Sequence, residues 1–214
     1  MSRLRFKIST SLDGFVAGPD QSVENPLGIG GMRLHEWAFA LEVARAQHGL
    51  AGGDTNASTR VVEESLANIG ATIMGRNMFG GHPGPWDATT PWQGWWGVDP
   101  PFHHPVFVLT HFARAPLRLE GGTTFTFVTA GIDAALDQAR RAAGGKDVSL
   151  AGGASAFQQY LAAGLVDEME INIAPTLLGS GERLFKGGVH DLHGLELVRT
   201  VAAPNVTHLK FSRR

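Results

Sequence analysis

Three short apolar runs that end in glycine, threonine or serine constrain the fold of this chain most. They are Ala71–Arg76, Val106–Thr110 and Val148–Ser155. Short aliphatic runs closed by turn residues are typical of buried strands in a parallel sheet. Such strands place free backbone N–H groups and small hydroxyls at one sheet edge, where nucleotide phosphates are held in α/β folds. Three such ends in one chain predict a dinucleotide cofactor and therefore redox chemistry.

Composition narrows the class of protein further. The 214 residues suit a single domain, 1–214, and the net charge of −2 provides no basic field for nucleic acid or an anionic membrane. No apolar run approaches the roughly 18 residues of a membrane span, and Met1–Lys7 does not lead into a signal peptide. The absence of cysteine excludes disulfides, a thiolate nucleophile and cysteine-bound metals. We therefore expect a soluble cytoplasmic protein.

Apolar periodicity predicts strands and helices that alternate along the chain and then a pair of strands at its end. A turn and a short extended piece, Ser11–Gly18, precede a Gly/Pro-rich loop over 19–31. The pattern predicts strands at Leu4–Ser9, 71–74, Pro105–Thr110, Thr123–Val128, Val148–Ala151, Met169–Ala174, Leu195–Val201 and Val206–Ser212, and helices at Leu34–Gln47, Thr59–Asn68, Ile132–Ala143 and after a Ser155 cap. This order predicts an α/β domain whose mixed sheet ends in an antiparallel hairpin.

Gly75 and Arg76 follow the strand that ends at Met74. Glycine lets the backbone pass close to a ligand, and the arginine guanidinium can form paired hydrogen bonds with a phosphate. A cofactor role for Arg76 would favour NADP over NAD, because only NADP carries a 2′-phosphate. An ordinary strand-to-helix turn with a surface arginine is the alternative.

Gly152 and Gly153 lie between a predicted strand and a predicted helix. Two glycines leave room for a pyrophosphate against the helix N-terminus, although the full G-x-G-x-x-G pattern is absent. Close packing of strand against helix without a ligand explains the pair equally well. Thr110 ends a neighbouring strand and is placed beside Arg76 if the two strands pair.

A Trp/Pro/Gly-rich segment at about 79–105 is too long for an ordinary connection. Its tryptophans, Trp86, Trp92, Trp95 and Trp96, could form an aromatic lid over a flat substrate. A loop packed on the sheet edge, or a dimer contact, is the alternative. The histidines His103, His104 and His111 lack the spacing of a metal site, so no metal is predicted.

Six short segments occur in order from the first strand to the C-terminal third. They are Ser11–Gly14, Ile73–Arg76, Val106–Thr110, Gly152–Ala154, Leu165–Glu168 and Pro175–Gly181. Each has low specificity, but the ordered set resembles the dihydrofolate reductase-like superfamily. The most similar branch contains the reductase domain of riboflavin biosynthesis and many bacterial "dihydrofolate reductase family" proteins.

The resemblance implies a three-layer α/β fold that binds NADPH across the carboxyl edge of its sheet. It implies that Gly75, Arg76 and Thr110 hold the adenosine phosphate side and that Gly152, Gly153 and Ala154 lie against the pyrophosphate. Ala17 would border the nicotinamide. His111 and Ser155 are neighbours that we include in the cofactor site. The resemblance also implies a homodimer, with the terminal strands or the Trp-rich loop as its contact.

The substrate side departs from the well-known members of this superfamily. Glu36, beside Trp37, is a possible substitute for the carboxylate of dihydrofolate reductase, and Asn172 lies on a strand that could line the substrate site. Asp13 is a second carboxylate near the first strand, although an Asx turn explains it as well. We expect water, or a carboxylate such as Glu36 or Asp13, to complete the proton transfer. We expect Trp37 and Asn172 to bind substrate.

These observations predict an NADPH-dependent reductase that transfers hydride to a C=N or C=O carbon of a small, heterocyclic substrate. A stand-alone riboflavin-pathway pyrimidine reductase, a 5-amino-6-(5-phosphoribosylamino)uracil reductase, is the alternative within the enzyme class. A recognisable phosphosugar-binding arginine pattern is missing, which counts against it. A non-catalytic nucleotide-binding sensor is the alternative from another class.

Overall fold

Strands form the centre of this computed structural model, which describes residues 2–47, 49–89, 91–187 and 191–213. The described strands are β1 (Leu4–Thr10), β2 (Phe15–Ala17), β3 (Ile69–Gly75), β4 (Pro105–Leu109), β5 (Leu117–Arg118), β6 (Thr124–Val128), β7 (Asp147–Gly152), β8 (Glu168–Ile173), β9 (Glu182–Arg183), β10 (Leu195–Ala203) and β11 (Val206–Arg213). Nine of them form one sheet in the order β10-β11-β8-β1-β7-β3-β4-β6-β5, and β2 pairs with β9.

The sheet is mixed, as predicted. Its six inner strands from β8 to β6 are parallel, whereas β5 and the β10–β11 hairpin are antiparallel. Parallel strands end at the same edge, so the glycine and threonine turns of the sequence come together there. The predicted α/β class and C-terminal hairpin are confirmed.

Helices cover both faces of the sheet and make three layers. They are α1 (Glu36–Phe39), α2 (Glu42–Ala46), α3 (Ala57–Leu66), α4 (Arg76–Phe79), α5 (Gly131–Ala142) and α6 (Ala154–Ala162). On one face Phe6 of β1 stacks on Phe157 of α6 with ring centroids 3.8 Å apart. On the other face the Arg5 guanidinium donates to the Glu64 carbonyl of α3. The alternation along β1 therefore sends its apolar side chains to α6 and its cationic ones to α3.

The prediction of one continuous helix over Leu34–Gln47 is wrong. The region consists of a 3₁₀ turn at Gly31–Leu34 followed by α1 and α2, and the chain breaks between the two helices at the buried Leu41. The Asp54 backbone pairs with both sides of this break: its N–H donates to the Ala40 carbonyl, and its carbonyl accepts from the Glu42 N–H. A contact with the following loop therefore replaces the local helical hydrogen bonds.

Capping determines where helices α3 and α6 begin. Helix α3 begins before Thr59 because Asn56 caps it: the Asn56 Oδ1 accepts from the Ser58 N–H, and the Thr59 hydroxyl accepts from the Asn56 N–H. Ser155 is not the cap of α6, because the helix already begins at Ala154 with Gly153 in the capping position. The short strand-to-helix turn leaves no residue between Gly153 and the first helical turn.

The Trp-rich segment between α4 and β4 has neither helix nor strand in its described residues. Indole N–H groups hold it to α4, since Trp92 donates to the Phe79 carbonyl and Trp95 to the Met78 carbonyl, at 2.8 and 3.0 Å. Trp96 stacks on Phe125 of β6, with centroids 5.9 Å apart. The segment therefore packs on the sheet edge through its tryptophans.

Candidate active site at the carboxyl edge of the sheet

Two clefts lie side by side where the parallel strands end. The larger has a volume of about 610 Å³ and the smaller about 370 Å³. Asn77, Gly153 and Glu182 line both of them. The two clefts therefore form one groove that crosses the carboxyl edge, with Gly153 at the junction.

The smaller cleft brings together most of the predicted cofactor residues. Gly75, Arg76, Thr110, His111 and Ser155 all line it. Strands β3 and β4 are parallel neighbours, so Thr110 ends beside Arg76, as the sequence suggested. The Thr110 hydroxyl accepts from the Phe112 N–H at 3.1 Å, which fixes the turn after β4.

The Arg76 guanidinium is held by the Trp-rich segment. Its Cζ lies 3.7 Å from the centroid of the Trp86 ring, and its Nη2 donates to the His82 carbonyl at 2.9 Å. Burial, followed by the charge of Arg114, lowers the pKa of Arg76. Its Nε is buried without a hydrogen-bond partner among the described residues. This arrangement fixes a cation at the wall of the smaller cleft.

The junction is built from the turn between β7 and α6. Gly152 has φ +124°, which an L side chain rarely adopts, and a Cβ on Gly153 would meet no atom within 4 Å. The nine-residue α6 begins directly after this turn, so its N-terminal N–H groups lie at the junction. Ala154 is fully buried and lines neither cleft, whereas Ser155 lies in the first helical turn on the smaller one.

The larger cleft is lined mainly by apolar side chains. Ala17 reaches it because β2 pairs with β9, and the same pairing carries Glu182 to the junction. Trp37 lines it too and is 6% exposed, with its Nε1 donating to the Ser9 hydroxyl at 3.2 Å. Two members of the Trp-rich segment, Trp95 and Trp96, complete the wall.

Asn172 lines the larger cleft and belongs to a buried polar chain. Its Oδ1 lies 2.7 Å from the Nδ1 of His208, and the Nε2 of that ring lies 2.9 Å from the Ser58 hydroxyl. Burial, then the charges of Arg199 and Lys7, lower the pKa of His208 to about 4. Sequence reasoning missed His208 and Ser58, because only the register of β11 on β8 places His208 opposite Asn172.

The two predicted catalytic carboxylates lie outside the groove. The Asp13 carboxylate accepts from the backbone N–H groups of Leu178 and Gly179, at 3.2 and 2.7 Å. The Ser11 hydroxyl and these amides lower the pKa of Asp13 to about 2, so it is ionised and holds a loop. Glu36 lines a neighbouring hollow of about 330 Å³, which shares Trp37 with the larger cleft. Glu182, which the sequence did not single out, is the carboxylate that the fold places at the junction.

His103 and His104, at the end of the Trp-rich segment, make hydrogen bonds within the fold. The Nδ1 of His103 lies 3.0 Å from the Gly121 carbonyl oxygen, and the Nε2 of His104 lies 2.7 Å from the Thr72 hydroxyl. Among the described residues no group of three metal-binding side chains comes together.

None of the helices in the described ranges of the chain has both the length and the apolar character needed to cross a bilayer.

Solved structures share this fold. A protein of Shewanella sp. PV-4 named for riboflavin biosynthesis matches with a TM-score of 0.61 at 20% identity, over 100% of this chain and 99% of its own. RibD of Acinetobacter baumannii matches all of this chain with a TM-score of 0.55 at 18% identity, and the chain spans 58% of it. Dihydrofolate reductase of Enterococcus faecalis, complexed with NADP(H), matches 99% of this chain and 96% of its own with a TM-score of 0.54 at 12% identity.

At these identities the structures establish the fold, and they confirm the predicted dihydrofolate reductase-like class. No curated protein matches the chain. A profile of the RibD C-terminal domain, in contrast, matches residues 3–209, which is nearly the whole sequence. The resemblance drawn from the six ordered segments is thereby confirmed, and the chain belongs to the RibD C-terminal domain family.

Proposed function

We propose that this protein is an NADPH-dependent reductase that transfers hydride to a C=N or C=O carbon of a small substrate. The observation that carries the proposal is the continuous groove, with the fixed Arg76 guanidinium at one end and an apolar cleft at the other. An extended dinucleotide needs this combination of a phosphate site and a flat apolar site. The dihydrofolate reductase complexed with NADP(H) has the same fold, which supports the assignment.

The residues of the groove fit NADPH. Arg76 and Thr110 would hold the adenosine phosphate side, and the turn at Gly153 would hold the pyrophosphate. A Cβ on Gly153 would occupy open space at the junction, so glycine keeps this position free for a ligand. Ala17 would border the nicotinamide ring, which supplies the hydride when bound.

On the substrate side the chain contributes placement. Trp37 and Asn172 line the cleft beside Ala17 and would bind the substrate against the nicotinamide ring. Because Asp13 and Glu36 lie outside the groove, we assign the proton to water that enters from the open side. Homodimer formation and a cytoplasmic location remain predictions.

The riboflavin-pathway pyrimidine reductase is the second candidate, because the family profile favours it. Its substrate carries a phosphate, for which an arginine near the substrate cleft would be expected. Among the described residues no arginine lines the larger cleft. Turnover of the ribosylaminopyrimidine phosphate with NADPH would decide in its favour.

Titration with NADPH and NADH, followed by tryptophan fluorescence, tests the proposal. Trp95 and Trp96 line the groove, so we expect a saturable signal. A Gly153→Leu variant should lose it, because the side chain would enter the junction. Gly187→Leu is the matched control, since a Cβ there also meets no atom of the described residues within 4 Å and Gly187 lines neither cleft.

Absence of a saturable response in the wild-type protein would remove the reductase proposal. Saturable binding without NADPH oxidation across a panel of carbonyl and imine compounds would instead indicate the nucleotide sensor.

A further inference from the structure

We infer that the substrate of the larger cleft is an uncharged, mostly apolar ketone whose oxygen accepts a hydrogen bond from Asn172. This inference rests on the proposed reductase function and names its substrate class.

The lining favours an apolar ligand. Two of its hydrophobic side chains, Phe39 and Leu66, are 46% and 45% exposed, so they present apolar surface within the cleft. Trp37, Trp95 and Trp96 add aromatic surface to the same cleft. A ligand that covers these groups gains free energy from the apolar area it removes from water.

The cleft offers no free cation to an anionic ligand. Within the described chain, Lys7 is the only lysine or arginine of the lining. Its Nζ donates to the Ser65 hydroxyl at 2.7 Å, and Glu170 lies directly opposite it on β8. Burial lowers the pKa of Lys7. Burial also lowers the pKa of His35, which lines the same cleft, and so favours its neutral ring. A phosphate here would lose its hydration without a free counter-charge.

The Asn172 Oδ1 lies 2.7 Å from the Nδ1 of His208. We assign the ring proton to that Nδ1, because an amide oxygen accepts hydrogen bonds. The ring is neutral at pH 7, so its Nε2 accepts from the Ser58 hydroxyl. Asn172 lines the cleft, and its one side-chain hydrogen bond among the described residues joins its Oδ1 to the Nδ1 of His208. The chain therefore leaves the Nδ2 N–H groups as donors for a ligand in the cleft.

A donor at this position suits a ketone better than an imine. A ketone oxygen has lone pairs and gains negative charge as it is reduced, so a fixed N–H stabilises it increasingly. A protonated iminium, the reactive form of an imine, has no lone pair to offer. In the reaction the carbonyl carbon gains hydride, its π pair moves to oxygen, and water donates a proton. The products are a secondary alcohol, NADP⁺ and hydroxide.

Matched ligand pairs test the charge part of the inference. Protein loaded with NADP⁺ is titrated with 4-methoxyacetophenone and with 4-acetylphenyl phosphate, and with further aryl and alicyclic ketones and their phosphate esters, by tryptophan fluorescence. We expect the neutral member of each pair to bind at least about tenfold more tightly, because an unpaired charge is costly to bury. Equal or tighter binding of the phosphate esters, or no binding of any neutral ketone, would overturn the inference.

The Asn172→Asp variant tests the hydrogen bond. The new side chain keeps an oxygen acceptor for His208 but loses the N–H donor. We expect kcat for the best neutral ketone to fall about 100-fold while the Kd for NADPH is unchanged. Asn205→Asp, at the hairpin turn outside the groove, is the control.

If Asn172→Asp lowers the unfolding temperature, His208→Gln is used in its place. His208 is a positioning residue, so we again expect a lower kcat with an unchanged Kd for NADPH. Wild-type kcat in a folded Asn172→Asp variant would refute the assignment. Failure of the proposed reductase function is distinguishable from these outcomes, because it would appear as the absence of saturable NADPH binding in the wild-type protein.

Discussion

Replacement of Arg76 by alanine is the most direct probe of the phosphate end of the groove. Its Nη2 already donates to the His82 carbonyl and its Nε is buried, so Nη1 remains for a ligand. One charge-assisted hydrogen bond contributes about 1.5–3 kcal/mol. If Nη1 meets the 2′-phosphate, Arg76→Ala should weaken NADPH binding about 10- to 150-fold. NADH lacks that phosphate, and its affinity should change much less.

The assay is the Kd for NADPH and for NADH, measured by tryptophan fluorescence or calorimetry at one salt concentration. Arg76→Lys keeps the charge but loses the stacking on Trp86, so we expect an intermediate loss for NADPH. Arg60→Ala is the control, because Arg60 is a surface residue paired with Glu64 and lines neither cleft. Equal losses of NADPH and NADH affinity in Arg76→Ala would refute the role of Arg76 in recognising the 2′-phosphate.

Two further predictions concern stability. Gly181→Ala should destabilise the protein by about 1–3 kcal/mol in urea unfolding, because φ is +126° and a Cβ would lie 2.1 Å from the Ala17 carbonyl oxygen. Gly187→Ala should have little effect, and an equal loss in both variants would contradict this reasoning. His208 has a pKa of about 4 when folded and about 6.5 when unfolded, so its contribution is complete above pH 6.5 and is lost as pH falls toward 4. That loss is at most about 3 to 3.5 kcal/mol, and His208→Gln should show a correspondingly flatter dependence of unfolding free energy on pH.

Local pattern predicted most of the architecture. The alternation along β1, with Leu4 and Phe6 on one face and Arg5 and Lys7 on the other, determines which side chains meet the two helical layers. Glycine and hydroxyl residues after apolar runs marked the carboxyl edge, because these residue types permit the turns that parallel strands need. The resemblance of the ordered segments led to the family.

Local sequence patterns did not predict the contacts between segments that are distant along the chain. The break at Leu41 depends on Asp54, and the stacking of Arg76 on Trp86 depends on how a long loop packs. The sequence is compatible with either a catalytic or a structural role for Asp13. The difference comes from the folded chain, in which the backbone N–H groups of Leu178 and Gly179 donate to its carboxylate.

What the amino-acid order determined by itself is the set of strands and helices, their alternation and the chemistry available at the strand ends, since these depend on neighbours along the chain. Tertiary structure alone decided which of those groups share a groove. The link from Asn172 through His208 to Ser58 exists because antiparallel pairing sets β11 against β8 and α3 packs over them. A shift of one residue in that register would turn His208 to the opposite face of the sheet.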